Sequence, residues 1–176
     1  MKIVGIFADQ LTSFHYDGEQ LDEFTRLFRL WQDPLYLYNF FTENIDDLQD
    51  GFFGTLSITT AIRETRLEAR RLEQLFITQS AGANNLDSIF SPLTQNEPLE
   101  LTKSKARGDS PKSWLRIYAI KVDANAYIIT GGVIKLTRSM QDRNHTAAEL
   151  TKFKRCLDFL KEEGITDVDG VHELLA

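Results

Sequence analysis

Trp114-Leu-Arg-Ile-Tyr-Ala-Ile-Lys121 and Ala126-Tyr-Ile-Ile-Thr-Gly-Gly-Val-Ile-Lys-Leu-Thr-Arg138 are two β-rich runs separated by four residues. Branched and aromatic side chains suit a pleated surface. The Asp123-Ala-Asn125 segment between the runs carries the residue types of a hairpin turn. The stretch therefore predicts two antiparallel strands. Lys and Arg are embedded in both. A cation on a sheet face is costly unless something anionic meets it, so this hairpin is the first place to look for function.

Just upstream, from Pro98, the pattern has period two. Leu99, Leu101, Lys103 and Lys105 fall on one side of a strand, and Glu100, Thr102 and Ser104 on the other. One face begins apolar and ends cationic. Arg107-Gly-Asp-Ser-Pro-Lys112 reads as a turn-rich loop, and alternation beyond it puts Trp114, Arg116 and Tyr118 on a common face. Gly131-Gly132 predicts a bulge or a close backbone approach in the last strand. Downstream, the spacing predicts a helix over about 146–163, with Leu150, Phe153, Leu157 and Leu160 inward and Gly164 at its end.

Toward the N-terminus, residues 2–7 and 11–16 look like strands joined by Ala8-Asp-Gln10. Leu21, Phe24, Phe28 and Trp31 form one apolar stripe of a helix over 19–31. Asp33-Pro34 reads as an N-cap with proline at the first helical position, opening a second helix to about Leu48. After a loop at Asp50-Gly-Phe-Phe-Gly54, a third helix runs from about Thr60 to Ile77 with Ile62, Ala69, Leu72 and Phe76 inward. Its mixed arginines and glutamates, Arg63 to Glu73, read as a solvated face. Asn84 or Asn85 can cap a short helix that ends near Pro92.

Composition bounds the function. At 176 residues, 42% hydrophobic and 11% aromatic, the chain suits one domain with a sizeable core. No run approaches the roughly 18 apolar residues that span a membrane, and the apolar N-terminal stretch is too short for a signal peptide. A cytoplasmic protein without membrane contact is the default expectation. The single Cys156 excludes an intramolecular disulfide and disfavours a Cys-rich zinc site. It lies on the apolar stripe of the last helix, as a core thiol would. His15, His145 and His172 lack ligand spacing, and no phosphate-cradling glycine motif follows Gly131-Gly132.

The net charge of −6 conceals an asymmetry. Residues 1–101 carry 7 basic and 16 acidic side chains, residues 102–161 carry 13 and 5, and the last fifteen carry five acids and no Lys or Arg. A basic block between acidic ends suits RNA or an acidic protein partner. The alternative is that the two halves neutralise each other inside one fold. Lys103, Lys105, Arg107, Arg116, Tyr118, Lys135 and Arg138 form the basic and aromatic cluster, whereas Lys121, Lys152, Lys154 and Arg155 read as solvent-facing charges. Metal-free RNA cleavage needs little more than such a set. Arginine forks hold phosphate oxygens, Lys or Tyr can move protons, and an aromatic can stack on an unstacked base.

The Leu-Arg-Ile-Tyr strand, the Ile-Ile-Thr-Gly-Gly-Val-Ile-Lys-Leu-Thr strand and the closing helix Thr146-Ala-Ala-Glu-Leu-Thr-Lys-Phe-Lys-Arg155 resemble the RelE/ParE superfamily of toxins, particularly its HigB-like members. The resemblance implies a RelE-like core over 56–163, preceded by an N-terminal extension (1–55) and followed by an acidic tail (164–176). The expected fold class is α+β: an N-terminal hairpin and helices packed with an antiparallel sheet of about three main strands, then the closing helix. The implied activity is metal-independent endoribonuclease action on mRNA, on or off the ribosome, without a cofactor. A cognate helix-turn-helix antitoxin would neutralise it. By the resemblance Arg116 holds the scissile phosphate, with Tyr118, Lys135 and His145 as catalytic candidates. Lys103, Lys105, Arg107 and Arg138 would bind RNA. The alternative is a non-catalytic module whose basic sheet face binds nucleic acid or an acidic protein. Two departures from the family pattern are the fifty-five-residue N-terminal segment and the overall acidity.

Overall fold

The computed structural model describes residues 1–7, 10–81, 86–93, 102–107, 113–137 and 143–175. Readings that fall on Asn84, Asn85, Leu99, Glu100, Leu101, the loop 108–112 and Arg138 lie outside the described residues.

The chain opens with the antiparallel strands β1 (Lys2–Phe7) and β2 (Leu11–His15). Helix α1 (Glu23–Gln32) begins later than the apolar stripe suggested, because the Asp22 carboxylate accepts the Thr25 N–H at 3.0 Å and fixes the start. Asp33 closes α1 and caps α2 (Pro34–Glu43), accepting from the Leu35 and Tyr36 N–H groups at 2.8 and 3.3 Å. The single second helix of the sequence reading is two. At Asn44 the side-chain amide donates to the Phe40 carbonyl at 2.8 Å, and α3 (Ile45–Gln49) starts afresh. Helix α4 (Ile58–Ala81) follows. A 3₁₀ turn (Leu86–Ser88) stands where a short helix was expected.

Strands β3 (Ser91–Pro92), β4 (Thr102–Arg107), β5 (Leu115–Asp123) and β6 (Ala126–Ile134) come next, then α5 (Asn144–Glu162) and α6 (Val168–Leu175). The turn between β5 and β6 holds Asn125 at a positive φ of 55°, a conformation that Asn tolerates well.

The architecture is α+β, as expected, but the sheet corrects the reading of three main antiparallel strands. It has six strands in the order β1-β2-β6-β5-β4-β3. It is also mixed, because β2 runs parallel to β6 with Leu11, Thr12 and Ser13 opposite Tyr127, Ile128 and Ile129. Period-two patterning marks a strand but does not name its neighbour, least of all one more than a hundred residues away.

Two apolar cores lie on opposite faces of the sheet. The first takes Leu115, Ile117 and Ala119 of β5 together with Phe24, Leu27, Phe28 and Trp31 of α1, Leu37 and Phe41 of α2, and Leu72 and Phe76 of α4. The second takes Tyr118, Ile120 and Val122 with Phe153, Cys156, Leu157 and Leu160 of α5 and Val171 of α6. Each fully buried large apolar side chain contributes about 1.5–3 kcal/mol.

In β6 the parity of these faces switches partway. Tyr127 and Ile129 enter the first core, but so does Ile134. Thr130 is the extra residue, since Tyr118 pairs with Gly131 and Ala119 with Ile129. A one-residue bulge moves every later side chain to the other face. Its hydroxyl and carbonyl are both bonded: Thr130 Oγ1 donates to the Tyr118 carbonyl at 3.2 Å, and the Thr130 carbonyl accepts from the Tyr16 hydroxyl at 2.5 Å.

Candidate functional site

Two polar assemblies stand out, on either side of that bulge. The first is the cationic face of β4 and β5. Directly opposed residues of an antiparallel pair point the same way, and here Lys105 faces Tyr118 and Arg107 faces Arg116. Lys103 pairs along the backbone with Ile120. Register thus brings Lys105, Arg107, Arg116 and Tyr118 to the face that α5 packs on.

Arg107 is exposed and Arg116 half-buried. Among the described residues no ion pair forms to Lys105, Arg107 or Arg116. The Arg116 guanidinium turns back on its own chain, donating from Nη1 to the carbonyls of Ser113 and Leu115 at 2.9 and 2.7 Å. Burial lowers the Arg116 pKa from its ordinary value, and the Arg107 charge adds to the lowering while Tyr118 and Glu68 oppose it. Two arginines opposed across a ladder repel each other, and an anion between them would remove that cost. Tyr118 is buried, which raises its pKa; its hydroxyl therefore keeps its proton at neutral pH.

Other candidates fall elsewhere. Trp114 does not share the face of Arg116 and Tyr118. The strand begins at Leu115, so alternation does not reach it; the indole enters the first core against Phe41 and Phe53 and donates to Thr65 Oγ1 at 2.9 Å. His145 packs edge-on to Phe40, and its Nε2 lies 3.1 Å from the Ile134 carbonyl, so that nitrogen carries the hydrogen. His145 is thereby held against Phe40 at the edge of the first core, whereas Tyr118 is buried in the second. Lys135 follows β6, its N–H donating to the Trp114 carbonyl at 2.8 Å.

The second assembly was not foreseen. Glu23, only 1% exposed, receives a fork of hydrogen bonds from Arg26 (Nε at 2.9 Å, Nη2 at 2.6 Å) and another from Lys152 Nζ at 2.6 Å. Lys152 also reaches Glu149 at 2.8 Å. The Tyr16 hydroxyl contacts Cys156 Sγ at 2.9 Å, and Lys152 lies over the Tyr16 ring. Lys152 is therefore no solvent-facing charge. Burial alone would raise the Glu23 pKa, but Arg26 and Lys152 together hold it below the usual range. Burial raises Glu149, Glu23 adds to the rise, and Lys152 and Arg26 counter it. Cys156, wholly buried, is pushed up to about 11 by burial.

Gly131 makes room for this cluster. A Cβ there would stand 2.0 Å from Glu149 Oε2 and 2.7 Å from Lys152 Cε. A signal was present in the sequence: Glu23 lies on the stripe of Leu27 and Trp31, and Glu149 and Lys152 lie on that of Phe153 and Cys156. A charge on a buried stripe requires a partner, but periodicity could not say which.

Lys121 also proves to be engaged, its Nζ 2.8 Å from Asp87, which accepts the Tyr127 hydroxyl as well. Among the described residues no group of three or more His, Cys, Asp or Glu side chains is gathered to hold a metal ion, and no helix is long and apolar enough to cross a membrane. No protein-family model, curated protein or solved structure matches the chain.

Proposed function

We propose that the chain is a RelE/HigB-like toxin, an endoribonuclease working from the β4–β5 face and neutralised by a cognate antitoxin. The observation that carries this reading is the Arg107–Arg116 pair, two arginines directly paired across the β4–β5 ladder on one face, beside a tyrosine that stays protonated. The antiparallel run β4–β5–β6, preceded by helices and followed by α5, supports it.

In the proposed reaction the RNA 2′-hydroxyl gives up its proton to a solvent base as its oxygen attacks the adjacent phosphorus, and the P–O5′ bond breaks as the 5′-oxygen leaves. Arg107 and Arg116 hold the non-bridging oxygens and offset the charge that develops on them. The Tyr118 hydroxyl is the proton donor to the leaving oxygen. Lys105, on the same face, adds a further cation for the RNA strand.

Induced expression of the wild type is expected to arrest growth and deplete full-length transcripts. Arg116→Ala, folded by circular dichroism, should cut RNA cleavage by about 10²–10³-fold, the range for losing one charge-stabilising donor. Unchanged toxicity of that variant would remove Arg116 from the site.

Two observations favour a non-catalytic RNA-binding module instead. Tyr118 is only 3% exposed, and Arg116 already satisfies two carbonyls of its own chain. Salt-sensitive RNA binding by purified protein, with the RNA left intact, would select that reading.

A further inference from the structure

The β2–β6 ladder ends at Ser13 and Ile129. Beyond it the two parallel strands feed different layers: β2 leads to α1 on the first core, and β6 leads to α5 on the second. Adjacent parallel strands whose following helices take opposite faces leave a crevice outside their carboxyl ends. Lys152 of α5 fills that crevice, reaching across the gap to Glu23 of α1 while also pairing with Glu149 one turn back on its own helix.

We infer that this crevice is a proton-controlled latch, in which the charge on Glu149 sets how firmly α1 and α5 are held together beyond the last β2–β6 pair. The geometry is two carboxylates on one ammonium, enclosed by Gly131 below and helices on either side. Arg26 is committed to Glu23 through both of its hydrogen bonds. When both carboxylates are ionised, Lys152 must serve two anions and Glu149 is a second buried negative charge. A protonated Glu149 still accepts from Lys152 through its other oxygen, and the repulsion between the carboxylates is gone.

The other groups around Glu149 do not relieve it. Tyr16 and Cys156 are neutral at ordinary pH, both with pKa values raised by burial. Tyr118 from β5 and Tyr36 from α2 are likewise raised, with the Glu149 charge adding to the shift.

The sign follows from the two directions. Glu23 lies below its ordinary value, so its contribution is present above the unfolded pKa and lost as pH falls through the folded one. Glu149 lies above its ordinary value, so stability declines as pH rises from the unfolded pKa toward the folded one. The latch is tightest in the mildly acidic interval where Glu23 is charged and Glu149 is not.

Thermal unfolding of the full chain from about pH 3 to 9, a range that spans the unfolded glutamate pKa, tests this, with Glu149→Gln alongside. The wild type should lose about 3–5 °C in Tm for each pH unit by which Glu149 is displaced. The variant should lack that component. Parallel profiles for the two proteins would overturn the latch. If Glu149→Gln does not fold, ¹³C titration of the wild-type carboxyls decides: Glu149 titrating at or below the ordinary glutamate value overturns it. Hydrogen exchange, corrected for intrinsic rates, should lose protection with rising pH in α1 and the first half of α5 before β5. Uniform loss across the sheet would also overturn it.

Discussion

Gly131 and Gly132 are neighbours in sequence with opposite obligations. A methyl group on Gly131 meets the ends of Glu149 and Lys152, which can swing aside. On Gly132 it meets the Arg116 carbonyl at 2.7 Å and Leu27 Cδ1 at 2.9 Å, one of them backbone in the same ladder. Both alanine variants should be destabilised, Gly131→Ala by about 1–3 kcal/mol, the usual cost of overpacking, and Gly132→Ala by more. Urea denaturation measures the difference. Truncating Glu149 to alanine should partly rescue Gly131→Ala and leave Gly132→Ala unimproved, because only the first clash involves that side chain. Removing Glu23, whose partners are two cations, should cost about 3–5 kcal/mol, since it leaves charge buried without its counterpart.

At the scale of elements, Asp33 serves two helices at once, as the residue that closes α1 and the side chain that opens α2. Asp33→Ala should cost about 1 kcal/mol in urea melts, with α2 the first helix to lose hydrogen-exchange protection. That cap was legible in sequence, as were the hairpin at Asp123-Ala-Asn125 and the special role of Gly131-Gly132. Local chemistry leaves local marks. The split at Asn44 left none, because an asparagine amide bonding to a carbonyl four residues back gives no periodic signature. The buried Glu23–Lys152 pair was half legible: each residue sat on an apolar stripe, but 129 positions separate the partners. The cationic face was read correctly for Arg116 and Tyr118, and wrongly for Trp114, which precedes the strand.

At the scale of the whole molecule, the acidic and basic segments partly cancel. Glu23–Lys152, Asp47–Arg143 and Asp87–Lys121 each join an acid from residues 1–101 to a cation of the central block. Those cations hold the fold together, and the β4–β5 arginines are set apart from them. The RNA binding proposed above should therefore depend on few charges despite the thirteen cations in the block. Fluorescence anisotropy with single-stranded RNA should show a salt slope that falls by about 0.7 on Arg107→Ala. Lys121→Ala should leave the slope unchanged; an equal loss from both variants would mean that the whole block binds diffusely.

The parallel pairing of β2 with β6 also constrains the order of events during synthesis. Thr12 bonds to the carbonyl of Tyr127, 115 positions away, so the first hairpin leaves the ribosome long before its neighbour exists. Until then the edge of β2 is a bare row of donors and acceptors, the kind of edge that recruits stray strands. A nascent chain halted before residue 126 should be retained by chaperones or precipitate, and release should come only once β6 is in place. Pairing at such separation also makes folding slow for a chain of this size. The joint that completes the sheet is the one for which the rest of the molecule must wait.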